Sequence, residues 1–256
     1  MVANLSFMWR RTPRALFTRY AVAWVYLACV IVAGLCNAAL PGHDQVVLMH
    51  WASTSVGNLE HDPVGCLAVS AFLPLGSLTP WPGLIALALF GANHVLGNRR
   101  TLVVCAAAHV AGTMVSEGIV AYRVHIGALP GADRHLLDVG PSYVVAAAIA
   151  VAVLGGPWLA RGAALADLAV FVFAGRIFAG LGQLQVPAVG HATALAAGAV
   201  LGGALTWRRR GQLRAPHADR DPQNLELPAR AIELGPAVIS PAQLTDQPVV
   251  PISEPL

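Results

Sequence analysis

None of the 16 basic residues is lysine; all are arginine. Lysine codons are AT-rich, so this bias points to a GC-rich genome and a bacterial source. Charge of either sign is scarce. Only 11% of the 256 residues are charged and 56% are hydrophobic, with a mean hydropathy of +0.63. Soluble domains carry about 25% charged residues, so the composition is that of a polytopic membrane protein. The net charge of +3 is no nucleic-acid signature, because the arginines flank apolar runs instead of sharing one face. The four cysteines, Cys29, Cys36, Cys66 and Cys105, have no CxxC spacing and read as small packing residues. No small-residue cleavage site follows the first apolar run, so that run reads as a retained helix and not a signal peptide. A phosphate loop, a nucleotide fingerprint and the inverted repeat of transporters are all missing. The loop histidines His50, His61, His125 and His135 match no compact ligand set, and no metal is expected.

What is present is a series of apolar runs. Six are predicted to span a membrane: Tyr20 to Leu40, Trp81 to Gly97, Thr101 to Tyr122, Val139 to Gly155, Ala163 to Leu181 and Val186 to Trp207. Residues 41–63 are polar and mixed. Residues 64–78 are apolar but short, interrupted by Pro74 and Gly76, and read as an interfacial or re-entrant piece. Residues 1–19 form an arginine-bearing N-terminal segment. Residues 208–256 open on Arg208, Arg209 and Arg210, lack a sustained apolar period and read as a disordered tail. With six spans, the arginines at 10–19, 99–100, 161 and 208–214 all fall on one side, which the positive-inside rule makes cytoplasmic. A seventh span at 64–78 would put the first cluster opposite the other three.

In this topology one hydroxyl and one imidazole come to a similar depth. Ser142 follows the turn-prone Asp138, Gly140 and Pro141 and starts the short fourth span. His191 lies about five residues inside the outer end of the sixth, roughly 7 to 8 Å deep at 1.5 Å per residue. Imidazole is the usual base for a serine nucleophile. The first turn of a helix also offers unpaired N–H groups and a favourable dipole to a developing oxyanion. In the plain structural alternative, Ser142 caps its helix and His191 satisfies a backbone carbonyl. Gly190, Ala194, Gly198 and Gly202 recur every four residues on the sixth span, and Ala146 and Ala150 follow Ser142 on the fourth. Such faces allow close helix approach.

Six spans, Gly140-Pro141-Ser142 at the start of a short fourth span, and Gly190-His191 with spaced small residues in the sixth resemble the rhomboid family of intramembrane serine proteases. The resemblance covers residues 20–207 and is closest to the divergent rhomboid-like branch of high-GC bacteria. It implies an all-α, six-helix membrane bundle with Ser142 as nucleophile and His191 as base. Its partners would be the lipid bilayer and single-span membrane proteins cut near their outer end, with no metal or organic cofactor and no nucleic acid. Ala194 and Gly198 correspond to the family's small residues after its histidine. The second reading is a catalytically silent relative that binds membrane helices as a chaperone or assembly factor.

Two departures stand out. The family's G-x-S-G motif has Tyr143 where its last glycine would be, so a ring could crowd the nucleophile or act as its lid. The family's second span carries a histidine and an asparagine four apart near its outer end; here His94 and Asn98 lie at the opposite, arginine-bearing end. Gly140, Tyr143, His109 and Glu117 are therefore the oxyanion or cavity-lining candidates. His109, Thr113 and Glu117 share one face of the third span, and intramembrane ionisable groups normally face the bundle interior. Glu117 could orient His191, polarise water or pair with Arg176, or serve a structural network. Asp167, half a turn away from facing Arg176, is expected to meet water on the cytoplasmic side.

Overall fold

The computed structural model describes residues 13–214. The expectation of a disordered 208–256 tail falls mostly outside them, as does the start of the N-terminal segment. The described residues are helical, with no strand among them. In chain order the helices are α1 (Pro13–Arg19), α2 (Ala21–Ala38), α3 (Gly42–Ala52), α4 (Val56–His61), α5 (Pro63–Ser70), α6 (Trp81–Leu96), α7 (Asn98–His125), α8 (Ser142–Gly155), α9 (Trp158–Ala169) and α10 (Val186–Arg214). The protein is an all-α polytopic membrane bundle, and α2, α6, α7, α8, α9 and α10 fall on the six predicted spans.

Three of these helices are long and apolar enough to cross a bilayer unaided: Ala21–Ala38, Asn98–His125 and the Val186–Arg208 part of α10. The others are short. The 14 residues of α8 cover about 21 Å at the helical rise, against a hydrocarbon core of about 30 Å.

The fifth span differs from the predicted Ala163 to Leu181. It begins at Trp158, directly after Pro157, and α9 gives way to a π-helical turn over Val170–Ala174. Beyond it, Arg176 sits at φ 50° on an exposed turn, so the chain has already left the helix where the apolar pattern still continues. The polar stretch 41–63 contains two helices, α3 and α4, that its mixed composition did not announce. At its end Asp62 caps α5, accepting the Gly65 N–H at 2.9 Å, with Pro63 in the first turn.

Helix α8 is central. Every residue from Tyr143 to Ala152 is buried, which a helix can achieve only if its neighbours come close on all sides. Five alanines in that run keep it thin. Helix α10 runs parallel to it, and the small-residue face is the contact. A Cβ on Gly198 would lie 2.6 Å from the Ala147 carbonyl oxygen, and one on Gly202 would lie 2.6 Å from a Val151 methyl. Ala194 is fully buried between them. On the other side of α8, a Cβ on Gly91 of α6 would meet the Ala152 methyl at 2.9 Å. Lipid-facing apolar side chains such as Val32, Leu102, Val103 and Val200 stay exposed. That is the expected inverse of a soluble fold, because lipid competes with protein for apolar surface.

The pair His94 and Asn98 turns out to fasten the far end of the bundle. The Tyr20 hydroxyl is 3.0 Å from His94 Nδ1, and Asn98 Nδ2 donates to the Thr18 carbonyl at 2.8 Å. Between them Gly97, at φ 77°, links α6 to α7 through a left-handed turn open to glycine.

Asp167 corrects an expectation. It is 1% exposed, on a helix packed against α6 and α8, and among the described residues neither carboxyl oxygen has a hydrogen-bond partner. The short, thin α8 lets α9 lie close enough to enclose it.

Because the Gly198 contact is with backbone, which cannot swing aside, Gly198→Ala is expected to lower stability by about 1 to 3 kcal/mol through overpacking. Gly203, with nothing within 4 Å of a Cβ, is the control, and Gly203→Ala should not lower the melting temperature. Thermal melts of both variants in the same lipid or detergent check this; equal loss in the two would sink the backbone-contact argument.

Candidate functional site

The turn before α8 sets the serine. Gly140 has φ 141°, a region side chains avoid, and its N–H donates to the Ser70 carbonyl at 3.0 Å. Pro141 is the N-cap residue, so Ser142 is the first residue within the helix and makes no capping bond. Among the described residues its hydroxyl takes part in no hydrogen bond, and the residue is half-buried. The N–H groups of that first turn have no partner inside the helix.

His191 lies in the second turn of α10, 7% exposed, and among the described residues neither ring nitrogen has a hydrogen bond of full geometry. The carbonyls of Pro187 and Ile177 approach the ring without bonding geometry. The structural alternative for Ser142, a capping bond, is therefore not what its side chain does, while the His191 ring rests against two backbone carbonyls. Ser142 and His191 instead line one cavity of about 480 Å³, walled by Trp81 of α6, Asp138, Phe171 and Ile177. No hydrogen bond joins the two side chains; in resting sites such contacts are often long and tighten only with a substrate in place.

A family model described as rhomboid-like protein matches residues 17–200. The chain belongs to the rhomboid-like family. Comparison with curated proteins and with solved structures gives no match. The family assignment agrees with the resemblance drawn from Gly140-Pro141-Ser142 and Gly190-His191, and the matched stretch contains the whole cavity.

The remaining candidates do not line this rhomboid-like cavity. Gly140 shapes the turn beneath Ser142. His109 Nε2 faces the Ser70 hydroxyl at 3.3 Å and the Leu67 carbonyl at 3.1 Å, tying α7 to α5; it borders a separate, apolar groove of about 350 Å³. Glu117 reaches neither His191 nor Arg176. Its Oε2 accepts the Val56 N–H at 3.0 Å, at the start of α4, so it anchors the 53–56 loop, and its other oxygen is buried with no partner among the described residues. Tyr143 neither crowds Ser142 nor covers it. The next position on a helix points about 100° away, and the ring turns into the core, 2% exposed, between α7 and α10. Gly112 and Gly190 leave the space it fills: a Cβ on Gly190 would overlap its phenol, and one on Gly112 would lie 3.2 Å from the ring.

Asp138 was read only as part of a polar turn, yet it lines the cavity and is 8% exposed. Its backbone N–H donates to Ser53 Oγ at 2.9 Å, and its carbonyl accepts the Thr54 N–H at 2.8 Å. Its carboxyl accepts from Thr54 Oγ1 at 3.1 Å and from the Tyr143 hydroxyl. Burial pushes this carboxyl up from 3.8 to about 6, against the Tyr143 and Thr54 hydrogen bonds, which pull it down.

A carboxyl raised in this way binds its proton more tightly folded than unfolded. Its contribution to stability is fully present below about pH 4 and is lost as pH rises through about 6. The stability advantage of the native chain over Asp138→Asn should therefore be largest near pH 4 and shrink by roughly 3 kcal/mol by about pH 7. Melting curves of the two chains across that range test it; parallel curves would show that the carboxyl does not titrate there.

Proposed function

We propose that the protein is an intramembrane serine endopeptidase that cuts single-span membrane proteins, with Ser142 as nucleophile and His191 as its base. One observation carries the reading. The two side chains line the same cavity, and among the described residues neither makes a hydrogen bond of full geometry. A buried imidazole left without a hydrogen bond is costly as mere packing, and an imidazole sharing a cavity with a free hydroxyl is suited to proton transfer.

In this mechanism His191 takes the Ser142 hydroxyl proton as Oγ bonds to the substrate carbonyl carbon. The first-turn N–H groups of α8 receive the oxyanion. Collapse breaks the C–N bond, and the imidazolium gives its proton to the leaving amine. Water, deprotonated by the same imidazole, then releases the acyl group and restores Ser142. Trp81 and Phe171 supply an apolar wall for substrate side chains. The same reading puts the protein in a bacterial plasma membrane, with both termini cytoplasmic and the Ser142 end of the bundle outward.

Labelling with a fluorophosphonate in lipid tests the reading. Native protein should label at one site, Ser142→Ala should not label, and His191→Ala should label at least about 100-fold more slowly, the low end of general-base contributions. No Ser142-dependent labelling of a folded preparation would instead favour the silent, helix-binding relative.

A further inference from the structure

A general base needs an orienting contact as well as a proton acceptor. In most sites a second hydrogen bond, from the other ring nitrogen, sets the imidazole plane. Among the described residues His191 makes no such bond of full geometry. Besides the Pro187 and Ile177 carbonyls, two aromatic rings flank it. Tyr143 lies 5.1 Å away, centroid to centroid, at 82°, and Phe171 lies 6.4 Å away at 89°. Both are edge-to-face contacts within the range that is attractive for such rings. Each ring stands nearly perpendicular to the imidazole, and Tyr143 is the nearer.

Tyr143 is itself held. Its hydroxyl is 3.1 Å from each carboxyl oxygen of Asp138 and 3.4 Å from the Val186 carbonyl. A phenol has one proton to donate, and the straddling carboxyl keeps an acceptor in reach wherever that proton points. Asp138 is fixed in turn by Ser53 and Thr54 through its backbone and its side chain. The Gly140-Pro141 turn brings Asp138 back beside the residue five positions later. Gly190, directly before His191, lets the phenol pass so close to α10 that a methyl group there would overlap it.

We propose that Asp138 and Tyr143 are a positioning pair for His191: the Asp138 carboxyl fixes the Tyr143 hydroxyl, and the Tyr143 ring fixes the plane of the imidazole. As a catalytic device it rests on the reading of His191 as the base of Ser142. The tyrosine in place of the family motif's glycine is then part of the site's machinery, acting through His191 and not on substrate.

The test uses full-length protein in lipid nanodiscs with 15N-labelled histidine, the His191 ring signals being identified by their loss in His191→Ala. Tyr143→Phe removes the tether and keeps the ring; Asp138→Ala removes the acceptor; Asp138→Asn keeps one. The His191 ring signals should shift or broaden in Tyr143→Phe and Asp138→Ala and return towards native in Asp138→Asn. The maximal rate of Ser142 labelling should fall about tenfold in the first two, with reagent affinity unchanged, and recover to within about twofold in Asp138→Asn. Tyr143→Phe loses a single oxygen, so it keeps the test alive if Asp138→Ala fails to fold. Unchanged His191 signals in folded Tyr143→Phe would overturn the proposal. If native protein does not label at Ser142, the protease reading falls, while the His191 signals still decide whether the pair sets the imidazole.

Discussion

The approach of α10 to α8 at backbone distance is the constraint on which the rest of the bundle depends. Lipid chains are as apolar as leucine, so burying apolar surface gives helices in a bilayer little net drive to associate. Dispersion contacts must supply it, and these fall off within a fraction of an ångström. Gly198 against the Ala147 backbone and Gly202 against Val151 bring the helices to that range. The same closeness sets Gly190 beside the Tyr143 phenol and carries His191 to the cavity that Ser142 lines. Larger residues on this seam would move the imidazole along with the helix.

The polar groups follow a second logic. Apolar packing gives the bundle its contacts, and short hydrogen-bonded links tie its loops to its helices. Glu117 holds the start of α4, Asp138 joins the 53–56 loop to the start of α8, and His109 joins α7 to α5. Each link sits at the Ser142 end of the bundle. At the other end His94, Asn98 and Asn93 do the same work for α1 and α2. Two sets of polar ties thus bracket an apolar middle, in which Asp167 is a buried exception.

Much of this was legible in the sequence because it depends on composition and on helical period. The six spans, the four-residue spacing of Gly190, Ala194, Gly198 and Gly202, and the assignment of His94 and Asn98 to the far end all follow from local pattern and arginine placement. The fifth span slipped because apolar character continues to Leu181 while the helix ends sooner; hydropathy records burial preference and not backbone direction. Helices α3 and α4 were missed since their residues carry neither a clear apolar face nor a run. The role of Tyr143 was out of reach for another reason. A lid, a crowding ring and a core ring share one sequence, and only the cavities left by Gly112 and Gly190 decide among them. Asp138 and Glu117 likewise bond to backbone and loop groups distant in the chain, which no spacing rule records.

The shortness of the fifth span reaches past the protein itself. Helix α9 and its π-turn present Leu159, Leu165, Val170 and Phe173 outward over fewer residues than α7 or α10 do. A bilayer must match the apolar height of whatever it touches, by thinning or by tilting the protein, at a cost of fractions of a kcal/mol per ångström of mismatch. Around this bundle that height is uneven: tall along α7 and α10, low along α9. Acyl-chain length thereby becomes a variable that acts on one flank of the molecule, the flank whose Phe171 walls the cavity.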